Sequence, residues 1–157
     1  MRHGAAEPGN SGRPDHERQL TDAGRQSVAA VLSAVAHTMK PGILLASPYK
    51  RAQQTAAIAI EKLGLRVGPV ESSCLTPDST PQDAWNDIRI QAGNRAVLAV
   101  LHQPLIGALS AFLLNCPGLA IEFDTATVIA IETTNNGPQP RGVLRWMAGG
   151  SLLSRAN

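Results

Sequence analysis

Aromatic side chains are scarce in this sequence: two Trp, one Tyr and two Phe make up only 3% of it. A platform for stacked nucleobases needs more rings than that, so Trp85 and Trp146 read as packing residues and the core falls to Ala, Val, Ile and Leu. A surplus of one charge is also missing. Lys and Arg total 14 against 12 Asp and Glu, leaving +2. The arginines are scattered rather than gathered in a run, so no nucleic-acid partner is expected. Cys74 and Cys116 are the only cysteines, too few for a secreted disulfide scaffold, and read as reduced thiols. No apolar run approaches the roughly 18 residues of a membrane span. The opening residues are polar and charged, so no cleavable secretory signal is expected. The chain reads as cytoplasmic, with no membrane partner.

What is present suits one domain over residues 1–157. At this length a fold buries roughly 68–70% of its unfolded surface and needs no staple. Residues 5–19 are rich in Gly, Pro and charge and read as a loop. Thr21 offers a helix cap with Asp22 in the first turn. Val28, Val31, Leu32, Val35 and Met39 follow at helical spacing up to Pro41-Gly42. Ile43 to Ala46 reads as a buried strand. Ser47 and Pro48 look like cap and first residue of a helix reaching Leu63, closed by Gly64. A short strand is expected over Val67 to Val70. Thr80-Pro81 opens another helix, with Asp83 three residues past the cap. Ala96 to Leu101 is the clearest strand, and a helix from Pro104 to Leu114 follows. Two late strands, over 121–132 and 142–147, flank Asn135-Asn136-Gly137-Pro138. This alternation predicts α/β with a largely parallel sheet.

Three pieces carry chemistry. Arg2-His3-Gly4 opens the chain, Ser47 to Thr55 follows one strand, and His102 follows another. Ligand sites in open α/β sheets gather at the carboxyl ends of strands, so Arg51 and His102 are expected in one crevice. A helix starting near Pro48 adds amides and a positive dipole end suited to an anion. A neutral imidazole is a good nucleophile near its ordinary pKa of about 6.5. Phosphoryl transfer needs positioning and positive charge more than further covalent help, and guanidinium forks match phosphate oxygens. His with several Arg is thus a phosphate-handling set. The four histidines lack metal-ligand spacing, so neither metal nor cofactor is expected. His16 and His37 read as ordinary, and Cys74 as a packed thiol rather than a nucleophile.

Arg2-His3-Gly4 at the start resembles the signature of the histidine phosphatase superfamily, the phosphoglycerate mutase-like fold. Leu20-Thr21-Asp22-Ala23-Gly24 resembles its Leu-Thr-x-x-Gly helix start, and Ser47-Pro48 with Arg51-Ala52 and Thr55 its Ser-Pro-x-x-Arg-Ala-x-x-Thr segment. His102-Gln103-Pro104 resembles its second-histidine segment, and Phe123-Asp124-Thr125-Ala126 a late segment of the small SixA-type phosphohistidine phosphatases. The resemblance implies a three-layer α/β/α fold with a mostly parallel sheet. It implies His3 as the phosphorylated nucleophile, Arg2 and Arg51 on the phosphoryl oxygens, and His102 as a further donor. It also implies Arg18 as a phosphate-facing arginine, although Arg13 shares that loop and the choice between them is open. The implied partner is a phosphorylated protein, a histidine phosphotransfer domain, acted on by a monomer.

The departures sharpen this reading. Larger relatives carry an acidic proton donor after the third strand. Here Ser72-Ser73-Cys74-Leu75-Thr76-Pro77 holds no carboxylate before Asp78, and SixA-type proteins also lack that acid. A departing imidazole needs less acid help than a sugar alkoxide, so phosphohistidine is the expected substrate. A small phosphomonoesterase of the same fold and a non-catalytic phosphate-binding module are the alternatives. Ala5 stands where many relatives have an acid or Gln. The family places an apolar strand ahead of Arg-His-Gly, whereas only Met1 precedes Arg2. The first strand is therefore expected to be missing or truncated, with the true start a few residues upstream.

Overall fold

The computed structural model describes residues 1–9 and 12–149. Residues 10 and 11 of the expected loop, and 150–157 of the expected single domain, lie outside the described residues. Among the described residues the chain runs through eleven short elements, nine of which frame the site. Helix α1 spans Asp22–Val35, β1 Ile43–Ala46, α2 Lys50–Leu63 and β2 Val70–Glu71. Helix α3 spans Pro81–Ala92, β3 Val97–Val100, α4 Leu105–Leu113, β4 Val128–Thr133 and β5 Gly142–Ala148.

The expected helix starts are made where a hydroxyl can reach an amide. Thr21 accepts from the Gly24 amide at 3.0 Å, and Thr80 from the Asp83 amide at 3.1 Å, each satisfying a first-turn donor. Gly64 closes α2 with φ 61°, in the left-handed region that favours glycine.

Strands β2, β1 and β3 form a parallel sheet in that order, while β4 and β5 pair antiparallel. Side chains of β1 alternate between two cores. Leu44 and Ala46 face Val28, Val31 and Leu32 of α1 and Ala52, Ala56 and Ala59 of α2. Ile43 and Leu45 join Ala84, Trp85 and Ile88 of α3 and Leu105, Ile106 and Leu109 of α4. A strand buried on both faces must be apolar throughout, as Ile43 to Ala46 is. These layers are the expected α/β/α arrangement.

Residues 1–3 join the two sheets. His3 donates its amide to Leu101 at 3.1 Å, and Leu101 donates back to Met1 at 3.0 Å. On the other side Arg2 donates to Thr127 at 2.9 Å, and Ala126 donates to His3 at 3.0 Å. Residues 1–3 thus lie as a short extended stub between the ends of β3 and β4. Behind Met1 the two strands border a cavity of about 840 Å³, lined by Val97, Ala99, Ile129 and Ile131 among others. The Met1 amine donates to the Ala99 carbonyl at 2.7 Å, and burial lowers its pKa to about 5.

Several boundaries differ from expectation. Helix α1 ends at Val35, where a turn bonded from Thr38 to Val35 at 2.9 Å takes over, so Met39 lies beyond the helix and packs on the core from there. The strand expected at Val67 to Val70 is only Val70–Glu71. Residues 121–127 are not strand, and β4 begins at Val128. The reason is local: Ala126 sits at φ 63°, which breaks extended pairing, while its amide serves the His3 carbonyl.

Candidate active site

The site forms where residues 1–3, β1 and β3 all end. His3 is 7% exposed, Arg51 4% and His102 1%. Arg51 Nε donates to His3 Nε2 at 3.1 Å, and the His3 and His102 rings lie 4.9 Å apart. Tyr49 stands edge-on to His102 with centroids 4.9 Å apart, and the Arg51 guanidinium lies 4.9 Å from the Tyr49 ring.

The His3 tautomer follows from its partners. Nδ1 lies 2.7 Å from the Gly4 carbonyl, which can only accept, so Nδ1 carries the hydrogen and Nε2 the lone pair. Burial and the backbone bond to Gly4 act in opposite directions, and the charges of Arg51, Arg2 and Arg18 side with burial. The net effect lowers the His3 pKa to about 4. Burial, followed by the His3 and Arg51 charges, takes His102 down to about 2. Both rings are therefore neutral at neutral pH.

Ser47 departs from its expected role. It does not cap α2, whose N-cap is Tyr49. Its hydroxyl lies 2.8 Å from His102 Nε2, because a buried imidazole needs a polar partner. Thr55 ties the motif together: it accepts from the Gly4 amide at 3.2 Å and donates to the Arg51 carbonyl at 2.8 Å.

The other expected arginines differ in setting. Arg2 donates from one terminal nitrogen to the Phe123 carbonyl, while its Nε, like His102 Nδ1, is buried without a hydrogen-bond partner among the described residues. Arg18 donates to the Glu7 carbonyl at 2.6 Å and to Asp15 at 2.6 Å. Arg13 is half exposed and 3.7 Å from Glu7. Arg18, rather than Arg13, shares a partner with Arg51. That partner is Asp15, which belongs to none of the motifs. Its only sequence signal is its place three residues before Arg18.

A buried neutral imidazole with its lone pair among guanidinium groups, at the carboxyl ends of parallel strands, defines an α/β phosphoryl-handling protein. Residues 1–72 match the histidine phosphatase superfamily (branch 1). Among solved structures, the protein histidine phosphatase SixA complexed with tungstate superposes with TM-score 0.86 at 25% identity, covering 98% of this chain and 96% of that one. A proposed phosphohistidine phosphatase SixA from Agrobacterium tumefaciens gives TM-score 0.79 at 18% identity, over 95% and 94% of the two chains. A mycobacterial glucosyl-3-phosphoglycerate phosphatase complexed with VO3 gives 0.68 at 20%, over 92% and 95%. No curated protein matches in sequence. The chain has the SixA-type fold, and its first 72 residues match the histidine phosphatase superfamily.

Proposed function

We propose that this phosphatase hydrolyses phosphohistidine on a protein, through a phosphorylated His3. The observation that carries the reading is the lone pair of His3 Nε2, in a ring held neutral by burial and set 3.1 Å from Arg51 Nε. Nε2 attacks phosphorus in line as the bond to the substrate ring breaks. The leaving ring departs as neutral imidazole once its distal nitrogen has taken a proton from solvent. Arg2, Arg18 and Arg51 neutralise the phosphoryl oxygens. With the Ser47 hydroxyl donating to His102 Nε2, His102 Nδ1 carries a hydrogen for the same oxygens. Water then attacks phosphorus, releasing inorganic phosphate and restoring His3.

The substrate class rests on the carboxylate nearest Arg51. Partial burial of Asp15 is outweighed by hydrogen bonds from Arg51 and Arg18, which hold its pKa below the ordinary value. An ionised carboxylate cannot protonate an alkoxide, and imidazole needs no such acid. The tungstate bound to SixA is a tetrahedral oxyanion like phosphate, which agrees with an anion pocket here. A histidine phosphotransfer domain is the proposed partner.

The test is turnover of a phosphohistidine protein against sugar phosphates, with phosphoenzyme trapped under alkaline conditions. Wild type is expected to prefer phosphohistidine. His3→Ala is expected to lose both turnover and label, and Arg51→Ala to lose on the order of 10²–10³ in rate. Label retained in His3→Ala, or faster turnover of sugar phosphates, overturns the proposal.

A further inference from the structure

Two of the three arginines that would grip a phosphoryl group, Arg51 and Arg18, are already holding an anion. Arg51 donates to the Asp15 carbonyl at 2.6 Å and to Asp15 Oδ2 at 3.0 Å. Arg18 donates to Asp15 Oδ1 at 2.6 Å. Each carboxylate oxygen is thus taken by a different guanidinium, in the charge-assisted geometry that suits an oxyanion. The third Arg51 donor, Nε, covers the lone pair of His3 Nε2. In this state neither Arg51 and Arg18 nor the nucleophile is free.

The segment that carries Asp15 is weakly held. Asp15–Glu17 is a single 3-10 turn with no buried residue. The Asp15 side chain is 53% exposed, while that of Arg51 is 5% exposed. The turn's own bonds run from the Glu17 amide to Pro14 at 2.9 Å and from the Arg18 amide to Asp15 at 3.4 Å. His16 in the same turn lies 6.3 Å from the Tyr49 ring, so the turn borders the pocket beside His102. Segments with few buried contacts open at low cost.

We propose that Asp15 is an intramolecular anion latch, a specificity-determining residue that competes with the substrate's phosphoryl group for Arg51 and Arg18. Binding exchanges a singly charged carboxylate for a phosphoryl dianion on the same donors. The turn swings away, Arg51 turns its fork to phosphate, and His3 Nε2 is uncovered. Weakly anionic groups do not displace the latch, and phosphate leaves as Asp15 returns. This rests on the reading of Arg51 and His3 as the phosphoryl site.

The experiment measures tungstate affinity by calorimetry in wild type, Asp15→Ala and Asp15→Asn. Both variants are expected to bind on the order of tenfold tighter, as a latch open about one tenth of the time implies. In wild type, saturating tungstate is expected to speed hydrogen exchange at the Glu17 and Arg18 amides, since the turn is displaced. A residue that merely positions the arginines would give weaker binding in both variants and slower exchange on binding. Weaker or unchanged affinity in both variants overturns the latch, whatever the substrate. Tighter tungstate binding without phosphohistidine turnover would remove the substrate reading and leave the latch standing. No binding in any of the three proteins removes both.

Discussion

His3 shows how far surroundings can move one side chain. The free imidazole is half protonated near pH 6.5. Burial, and then the neighbouring arginines against the Gly4 bond, hold it neutral down to about pH 4. Only the neutral ring has the Nε2 lone pair, so the acid limb of kcat/KM, which reports the free enzyme, is expected near pH 4. Rates corrected for acid loss of the substrate would show it. A limb near 6.5 would mean that His3 is solvated or is not the titrating group. The residues of the Arg-His-Gly and Ser-Pro-x-x-Arg segments were legible because their spacing is local. Asp15 and the Ser47–His102 bond were not. Asp15 meets Arg51 across 36 positions and Ser47 meets His102 across 55, and no periodicity encodes such pairs.

Helix α1 is docked on the segment that follows His3. The Ala5 carbonyl accepts from the Thr21 amide at 3.0 Å and from the Thr21 hydroxyl at 3.3 Å. A Cβ on Gly24 would stand 2.0 Å from that carbonyl oxygen. Backbone cannot yield as a flexible side chain can. Gly24→Ala is therefore expected to cost about 1–3 kcal/mol by overpacking, and to lower turnover by shifting the Gly4 that orients His3. Urea unfolding checks the first effect and steady-state rates the second. A variant as stable and active as wild type would show that α1 and the Ala5 segment can move apart at no cost. Element identity was largely readable here, since caps and apolar runs are local. The ends moved where tertiary bonds intervened: α2 starts at Lys50 because Ser47 serves His102, and β4 starts late because Ala126 serves His3.

For the molecule as a whole, the buried neutral groups set a pH dependence of stability. Unfolded histidines take up protons near pH 6.5, while folded His3 resists to about 4 and His102 to about 2. The Met1 amine, ordinarily near 8, resists to about 5. As pH falls from about 8 toward 4, the unfolded chain thus binds more protons than the folded one, and stability declines. Urea midpoints are expected to fall across that window, and less steeply in His102→Gln. A flat profile from pH 7 to 5 would contradict the burial of these groups.

The cavity behind Met1 supports a second expectation at this scale. Four or five apolar residues added ahead of Met1 should run along β3 into that space and carry the polar amine out of the core. The melting temperature should rise by several degrees, and more than with a polar extension of equal length. Equal melting temperatures for the two extensions would mean that the cavity does not accept a strand.

Local spacing along the chain encodes the alternation of helix and strand, the Thr21 and Thr80 caps and the histidine and arginine segments. All of these depend on residues within about one helical turn or one strand of each other. Only the tertiary structure decided that Asp15 sits on Arg51, that Ser47 holds His102, and that residues 1–3 bridge β3 and β4. Those pairings bring together residues far apart in the chain, and they form because buried donors and acceptors must find partners wherever the packed layers present them.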